Sequence, residues 1–261
     1  MLLVIDVGNT NTVLGLYDGE TLVQSFRMST DKNRSSDEIG MFIMQVLMAK
    51  QLDFSQIEDV IIASVVPPVM HSLENAIKKY LNITPYVVTS KTPLGMKILI
   101  DNPKELGMDR LVNAFAAQYI YGGPVIIIDL GTATTFCAVN ENGDYLGGAI
   151  YPGLKISVDA LVEKTAKLPR VEITEPESAI GKNTIAAMQS GLYYGYAGMI
   201  DYLVEKFKQE LSAPNAKVVA TGGLAKLIAS ESKAIEIINR DLTLEGLKLI
   251  HEKLNMNKKD N

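Results

Sequence analysis

IDVGNTNT, residues 5–12, decides the fold of this chain, because the sequence repeats it as IDLGTATT at residues 128–135. Each copy places an Asp-x-Gly directly after an apolar strand and directly before a run of β-forming residues. A hairpin signal then follows, Asp18-Gly19 in the first half and Asn142-Gly143 in the second. A repeat of this length is too long for a solenoid unit, so it predicts duplication of a whole α/β lobe.

The residue pattern around the two copies predicts similar elements in a similar order. In the first half we expect strands at 2–5, 12–17, 21–28, 60–66 and 85–88, and helices at 39–48 and 69–81. Residues 101–110 are predicted to be a loop, and 111–121 a helix. In the second half we expect strands at 125–128, 134–139, 145–150 and 216–220, helices at 154–165, 184–211 and 243–254, and a polar tail over 255–261.

These patterns predict an α/β protein of two duplicated lobes. Each lobe should contain a mixed sheet that begins with an antiparallel meander of three strands and is completed by strands and helices. The repeat sets the boundary, with an N-terminal lobe at residues 1–121 and a C-terminal lobe at 122–261.

Composition excludes several classes of function. The chain has 25 basic and 30 acidic residues among 261, and this mildly acidic balance lacks the positive footprint that nucleic-acid binding requires. We expect no membrane span, because no stretch approaches the ~18 apolar residues that a span needs, and no signal peptide, because the first apolar run is short. The single cysteine, Cys137, cannot form an internal disulfide, which fits a cytoplasmic protein.

The two Asp-x-Gly turns suit the binding of phosphate groups. Gly8 and Gly131 have no side chain, so the backbone can approach a ligand closely. The amides and hydroxyls that follow can donate hydrogen bonds to phosphate oxygens, and Asp6 and Asp129 offer the oxygen ligands that Mg²⁺ prefers. For one turn alone, ordinary hairpin geometry is the better explanation. Two turns at matching positions favour phosphate binding.

Two further segments are candidates for chemistry. Thr221-Gly222-Gly223 ends a predicted strand and would let a nucleotide approach the backbone, although an ordinary strand-to-helix turn explains it equally well. Asp109 could accept a proton from an attacking hydroxyl, and Arg110 could hold an anion. From spacing alone, it is at least as reasonable that Asp109 caps the helix that follows. The chain has neither a P-loop nor a dinucleotide-binding glycine motif at its first strand–helix junction.

The ordered set of these motifs resembles the type III pantothenate kinases, which belong to the actin-like ATPase and sugar kinase superfamily. The resemblance covers nearly the whole chain, and the pair Gly-Met-Asp-Arg and Asp-Leu-Gly-Thr-Ala-Thr is its most specific part. The motifs are Asp6-x-Gly-Asn-Thr, Gly107-Met108-Asp109-Arg110, Asp129-Leu-Gly-Thr-Ala-Thr, Pro152-Gly153-Leu154, Gly181-Lys182-Asn183-Thr184 with Ser190-Gly191, and Thr221-Gly222-Gly223.

The resemblance implies two ribonuclease H-like (actin-like ATPase) lobes and phosphorylation of pantothenate by ATP to 4′-phosphopantothenate, the first step of coenzyme A biosynthesis. It implies that Asp109 is the general base, that Asp6 lies near Mg²⁺, partly through water, and that Asp129 binds a required monovalent cation, K⁺ or NH₄⁺. The implied ATP-binding residues are Asp6, Val7, Gly8, Asn9, Thr10, Asn11, Thr12, Val13 and Thr132. The implied pantothenate-binding residues are Ile100, Gly107, Met108, Asp109, Arg110 and Thr184.

The resemblance also implies a homodimer with its substrate site near the subunit interface. One position departs from the family pattern, since Ile100 stands where the family often has a tyrosine that contacts substrate. Two other functions stay open. One is a different small-molecule kinase of the same fold, such as a sugar kinase. The other is a nucleotide-binding regulatory protein without catalysis, although the presence of Asp6, Asp109 and Asp129 argues against it.

Overall fold

The computed structural model describes residues 1–259 and contains two five-stranded mixed sheets. The first sheet is built from β1 (Leu2–Val7), β2 (Asn11–Asp18), β3 (Thr21–Ser29), β4 (Asp59–Ser64) and β5 (Tyr86–Val87), in the order β3-β2-β1-β4-β5. β1, β2 and β3 form an antiparallel meander, whereas β4 and β5 run parallel to β1 and to each other.

The second sheet repeats this arrangement. Its strands are β6 (Val125–Leu130), β7 (Ala133–Val139), β8 (Tyr145–Pro152), β9 (Lys217–Thr221) and β10 (Ile237–Ile238), in the order β10-β9-β6-β7-β8. β6, β7 and β8 form the antiparallel meander, and β9 and β10 extend the sheet in parallel. The predicted α/β fold of two duplicated lobes is therefore confirmed at the level of sheet topology.

Local sequence explains where the helices of the first sheet begin and end. α1 (Ser36–Ala49) starts at a capping box, in which the Ser35 side chain accepts from the amide of Glu38 and the Glu38 carboxylate accepts from the amide of Ser35. α2 (Pro67–Leu81) begins with proline, whose missing N–H costs nothing in the first turn. It ends at Asn82 in the left-handed conformation. Both helices bury an apolar face in a core with β1 and β4.

The remaining helices are α3 (Met108–Tyr121), α4 (Leu154–Lys164), α5 (Thr184–Glu210), α6 (Ala225–Ala229) and α7 (Leu242–Lys259). The core of the second sheet contains residues of β6, α4, α5, β9 and α6. No helix within residues 1–259 combines the length and apolar character that crossing a membrane requires.

Close contacts divide the chain into two compact units. Unit 1 comprises residues 1–95, 102–116 and 243–261, and unit 2 comprises 96–101 and 117–242. α7 is thus grouped with the first sheet, and 96–101 with the second. The predicted lobe boundary between residues 121 and 122 rests on the internal repeat rather than on contacts, and it stays a prediction.

Several element boundaries differ from those predicted. The most important concerns residues 108–110, which were predicted to be loop but form the first turn of α3. The strand predicted over 60–66 ends at Ser64, and α2 starts two residues earlier than predicted. α7 continues to Lys259 through part of the predicted tail, of which residues 260 and 261 lie outside the described residues.

Candidate active site

The turn between β1 and β2 presents the first candidate site in unit 1. The amide of Gly8 donates to the carbonyl of Asn11 at 3.0 Å, which closes the turn, while Asn9 and Thr10 are exposed at its tip. Asp6 lies near the end of β1, where it pairs with Val13 of β2 and Ala63 of β4. Of the other predicted ATP-binding residues in this turn, Val7 and Thr12 are fully buried, and Gly8, Asn11 and Val13 are half-buried.

Asp109 and Arg110 lie in the first turn of α3, also in unit 1. The amide of Arg110 donates to Oδ1 of Asp109 at 2.7 Å, and the Arg110 guanidinium donates to the carbonyl of Glu105 at 3.4 Å. Burial raises the pKa of the Asp109 carboxyl, although the amide and charge of Arg110 act in the opposite direction. A carboxylate with a raised pKa accepts protons more readily than an exposed one, as a general base must.

Gly107 has a steric reason to be glycine. A β-carbon built at this position would lie 2.5 Å from Oδ1 of Asp109 and 3.5 Å from Cγ1 of Val65. Any larger residue would therefore displace the Asp109 carboxylate. The structure thus gives the predicted Gly-x-Asp-Arg motif a local explanation.

Val65 connects the two candidate segments of unit 1. Its amide donates to the carbonyl of Val7 at 3.0 Å, at the end of β1, and its side chain lies beside Gly107. β4 runs parallel to β1, so both strands end at the same edge of the sheet. The β1–β2 turn and the start of α3 are therefore brought to one edge of the first sheet.

Asp129 holds the equivalent position in unit 2, near the end of β6. It pairs with Thr135 of β7 and Thr221 of β9. A β-carbon on Gly222 would lie 2.8 Å from Oδ1 of Asp129 and 2.7 Å from the carbonyl of Leu130, and Gly222 has a φ of +91°. The Thr221-Gly222-Gly223 turn therefore packs directly against the Asp129 carboxylate.

The predicted ATP-binding residue Thr132 is exposed in the β6–β7 turn of unit 2. Its carbonyl lies so close to Gly153 that a β-carbon there would overlap it, which explains the glycine of the Pro152-Gly153-Leu154 motif. Behind the turn, Thr134 is buried and its hydroxyl lies 3.2 Å from that of Tyr196, which donates to the carbonyl of Pro152. These contacts link the turn to α5 and to the start of α4.

The two remaining predicted substrate residues also lie in unit 2. Thr184 is exposed as the first residue of α5, directly after Asn183, whose side chain accepts from the amide of Ala186 at 2.9 Å. Ile100 lies in the segment 96–101, which runs beside β8 through hydrogen bonds between Lys97, Leu99 and Tyr145. Its Cγ2 approaches Gly147 of β8.

Of the two predicted metal ligands, Asp6 offers a donor that suits its expected ion, Mg²⁺. No group of three or more His, Cys, Asp or Glu side chains within residues 1–259 could form a protein-only metal site. Mg²⁺ in a nucleotide site commonly uses one or two carboxylates together with phosphates and water, and a single Asp6 satisfies that need. The assignments of Asp6 to Mg²⁺ and of Asp129 to a monovalent cation stay predictions.

One residue at this edge of unit 1 was not predicted from the sequence. Thr30 follows β3, and its hydroxyl donates to the carbonyl of Gly8 at 2.7 Å. The sequence offered only a weak signal, a Thr before Asp31 at the end of a strand, because Thr30 and Gly8 are 22 residues apart.

Comparison with solved structures shows the same fold. A protein from Campylobacter jejuni, proposed to be a Baf family transcriptional activator, has a TM-score of 0.60 at 20% identity, covering 98% of this chain and 99% of its own. An inorganic polyphosphate/ATP-glucomannokinase from Arthrobacter has a TM-score of 0.51 at 14% identity, covering 97% and 98%. An activator of 2-hydroxyisocaproyl-CoA dehydratase from Clostridium difficile, with bound ADPNP, has a TM-score of 0.51 at 13% identity, covering 99% and 97%.

At these identities the three structures establish the actin-like ATPase and sugar kinase fold and nothing finer. The family is established independently, because the family model described as type III pantothenate kinase matches residues 2–206, well over half of the chain. The match includes the β1–β2 turn, Gly107–Arg110, Asp129 and Thr184. This chain therefore belongs to the type III pantothenate kinase family, a family of ATP-dependent kinases.

Proposed function

We propose that this protein transfers the γ-phosphoryl group of ATP to pantothenate, giving 4′-phosphopantothenate and ADP, the first step of coenzyme A biosynthesis. The observation that carries the proposal is the half-buried Asp109 carboxylate. It lies against Gly107, which the Val65 side chain also approaches, at the sheet edge where the β1–β2 turn also lies. Burial raises its pKa, which suits a base that must take a proton from an alcohol.

The proposed reaction is an in-line phosphoryl transfer. Asp109 accepts the proton of the primary hydroxyl of pantothenate as that oxygen attacks the γ-phosphorus of ATP. The bond between the γ-phosphorus and the bridging oxygen breaks, and ADP leaves with the bond's electron pair. Arg110, adjacent to the base, supplies a positive charge for the pantothenate carboxylate or for the transferring phosphoryl group.

We assign ATP to the turn from Asp6 to Val13, with a contribution from Thr132. Exposed Asn9 and Thr10 at the tip of the turn offer amide and hydroxyl donors for phosphate oxygens. When bound, Mg²⁺ would be held by Asp6 through water and would neutralise charge on the phosphates. A monovalent cation, K⁺ or NH₄⁺, is assigned to Asp129.

We assign pantothenate to Gly107, Met108, Asp109 and Arg110, with Thr184 and Ile100. The family resemblance supports this set. Ile100 supplies a methyl surface where a tyrosine hydroxyl is common in the family. We therefore expect this position to contact pantothenate through apolar atoms alone.

We also propose that the active form is a cytoplasmic homodimer. Support for a dimer comes from exposed apolar side chains of unit 2. On β8, Leu146 and Ile150 are 36% and 65% exposed. α5 adds an exposed line of glycines, Gly191, Gly195 and Gly198, with open space above each.

The test is a coupled assay of ADP release from purified protein with MgATP and K⁺, with and without pantothenate. We expect turnover that requires pantothenate and that Asp109→Asn lowers about 10²- to 10⁴-fold. Asp18→Asn is the matched control, because Asp18 is exposed in a hairpin turn where Asn-Gly is equally suitable. This control variant should retain wild-type turnover.

Other outcomes identify the alternatives. Turnover with a sugar, and none with pantothenate, would contradict the proposed substrate and leave a kinase of the same fold. ATP binding without turnover on any acceptor would contradict catalysis and favour a nucleotide-binding regulatory protein.

A further inference from the structure

Thr30 makes three hydrogen bonds to the β1–β2 turn. Its amide donates to the carbonyl of Thr10 at 3.0 Å, and its hydroxyl donates to the carbonyl of Gly8 at 2.7 Å. The hydroxyl of Thr12 lies 2.9 Å from the same Thr30 oxygen. All three contacts lie within unit 1, and they join the end of β3 to a turn about 20 residues earlier in the chain.

The direction of each bond follows from counting protons. A threonine hydroxyl carries one proton, and that of Thr30 is directed to the Gly8 carbonyl, which can only accept. Thr12 must therefore be the donor in its contact with Thr30. Because Thr12 is fully buried and its proton is used here, its hydroxyl supports the turn and has no proton left for a phosphate oxygen.

The same bonds orient the amides of the turn. In a trans peptide the C=O and the following N–H point in opposite directions. Because the Gly8 carbonyl points toward Thr30, the amide of Asn9, in the same peptide unit, points away from Thr30. The Thr10 carbonyl is held in the same way, so the amide of Asn11 also points away from Thr30.

We propose that Thr30 is a positioning residue for nucleotide binding, because it holds two carbonyls inward and thereby presents the amides of Asn9 and Asn11 to the phosphates of ATP. The inference rests on the proposed assignment of ATP to this turn. It makes Thr30 necessary for ATP affinity although Thr30 itself touches no phosphate. Without the hydroxyl, the Gly8 carbonyl can rotate outward, toward bound phosphate, where its partial negative charge repels the ligand.

Three substitutions separate this role from simple packing. Thr30→Val keeps the shape of the side chain and removes the hydroxyl, so we expect the Kd for MgATP to rise about tenfold, as for the loss of about one net hydrogen bond. Thr30→Ser keeps the hydroxyl and should bind MgATP within about twofold of wild type. Thr12→Val removes a bond to Thr30 but leaves the Gly8 bond intact, so its effect should be smaller than that of Thr30→Val.

The measurement is calorimetric titration of the folded protein with MgATP, with no acceptor present, alongside thermal unfolding of each variant. Ser29→Ala is the matched control, because this exposed neighbour lies on the opposite face of β3. A role limited to folding would lower the unfolding temperature of Thr30→Val and leave its Kd for MgATP unchanged, and that result would overturn the proposal. Equal weakening by Thr30→Ser and Thr30→Val would overturn it as well.

This experiment also separates the inference from the proposed reaction. If the wild-type protein binds MgATP but does not phosphorylate pantothenate, the substrate assignment fails while the Kd values still decide the role of Thr30. In the kinase assay, Thr30→Val should raise the KM for ATP and leave the KM for pantothenate nearly unchanged. A rise confined to pantothenate would contradict the proposal.

Discussion

At the scale of the residue, the burial of Asp109 affects both the stability of the fold and the proposed role of this carboxylate as a general base, in opposite directions. Burial raises its pKa above the ordinary value of 3.8, so the folded protein holds this proton more tightly than the unfolded chain does. The contribution of the Asp109 carboxyl to the stability of the fold is therefore fully present below pH 3.8. It is lost as the pH rises through the raised pKa of the folded state. The ionised carboxylate that the proposed general base requires is therefore the form that burial disfavours in the folded protein.

Asp109→Asn should accordingly separate stability from activity. We expect turnover to fall about 10²- to 10⁴-fold, the range for loss of a general base. The unfolding temperature at neutral pH should equal or exceed that of wild type, and the difference should disappear as the pH falls below the folded-state pKa of Asp109. Wild-type kcat/KM should decline over that same acid range as the base gains its proton. A variant clearly less stable than wild type at neutral pH would contradict this account of burial.

Gly222 and Gly223 allow a second comparison at this scale. Gly222→Ala would place a methyl group 2.7 Å from the carbonyl of Leu130 and 2.8 Å from Oδ1 of Asp129, at a φ that side chains rarely adopt. We expect the free energy of unfolding to fall by about 1–3 kcal/mol. We also expect activity to depend less on K⁺, because the methyl group would displace the Asp129 carboxylate to which the cation is assigned. Gly223→Ala meets nothing within 4 Å, so its stability should stay within about 0.5 kcal/mol of wild type. Urea unfolding and K⁺ titration measure the two effects, and equal losses in both variants would argue against a specific role of Gly222.

At the scale of the element, α3, the helix that carries Asp109, packs against α7. A β-carbon on Gly246 of α7 would lie 2.7 Å from Cγ1 of Val112 and 3.0 Å from Cβ of Ala116, so the two helices touch at this point. Thr243 donates to the side chain of Asn113 at 2.7 Å, one helical turn beyond Asp109. α7 lies beyond the residues that match the family model, yet it contacts the helix that carries the proposed base.

Gly246→Ala should therefore reduce both stability and kcat. Overpacking at this contact should lower the free energy of unfolding by about 1–3 kcal/mol and displace the start of α3. Gly40→Ala is the matched control, because a methyl group there would overlap the ring of Tyr80 between α1 and α2, helices that carry none of the proposed catalytic residues. Both variants should unfold at lower temperature, but only Gly246→Ala should lower kcat when both are fully folded. Loss of kcat in Gly40→Ala to the same degree would show that general destabilisation is responsible.

The elements that could be predicted from sequence are those with strong local signals. Continuous apolar runs predict β1, β4 and β6, and an apolar stretch predicts α1 from residue 39, three residues after its observed start at Ser36. The start of α3 could not be predicted in this way, because Asn102-Pro103 and Gly107 read as a loop while the amide of Leu111 donates to the carbonyl of Gly107. β10 has only two residues, so its pairing with β9 depends on tertiary structure.

The residues of the candidate site also divide into those with a local sequence signal and those that only tertiary structure reveals. Asp6, Asp109 and Asp129 could be proposed as site residues because each belongs to a short motif with a recognisable order along the chain. Thr30 could not, because its function depends on a hydrogen bond to Gly8 that a sequence pattern does not record. Likewise, the contact of Gly246 with Val112 joins residues more than 100 positions apart.

At the scale of the whole molecule, the proposed homodimer would cover exposed apolar side chains of β8. β8 is an edge strand in the order β10-β9-β6-β7-β8, and Ile150 on its exposed face is 65% accessible. Contiguous exposed apolar surface commonly marks a protein interface. We therefore expect light scattering with size-exclusion chromatography to give twice the mass of one chain.

Ile150→Asp should convert this dimer to a monomer, because dimerisation would bury a carboxylate without a partner. Ile238→Asp is the matched control, since Ile238 is 42% exposed at the opposite edge of the same sheet, on β10, and it should leave the dimer intact. A dimer mass for Ile150→Asp would contradict the assigned face, and a monomer mass for wild type would contradict the dimer itself. If the pantothenate site does lie near the subunit interface, the monomeric variant should lose affinity for pantothenate. It should still bind MgATP, because all but one of the residues assigned to ATP lie in unit 1, whereas β8 belongs to unit 2.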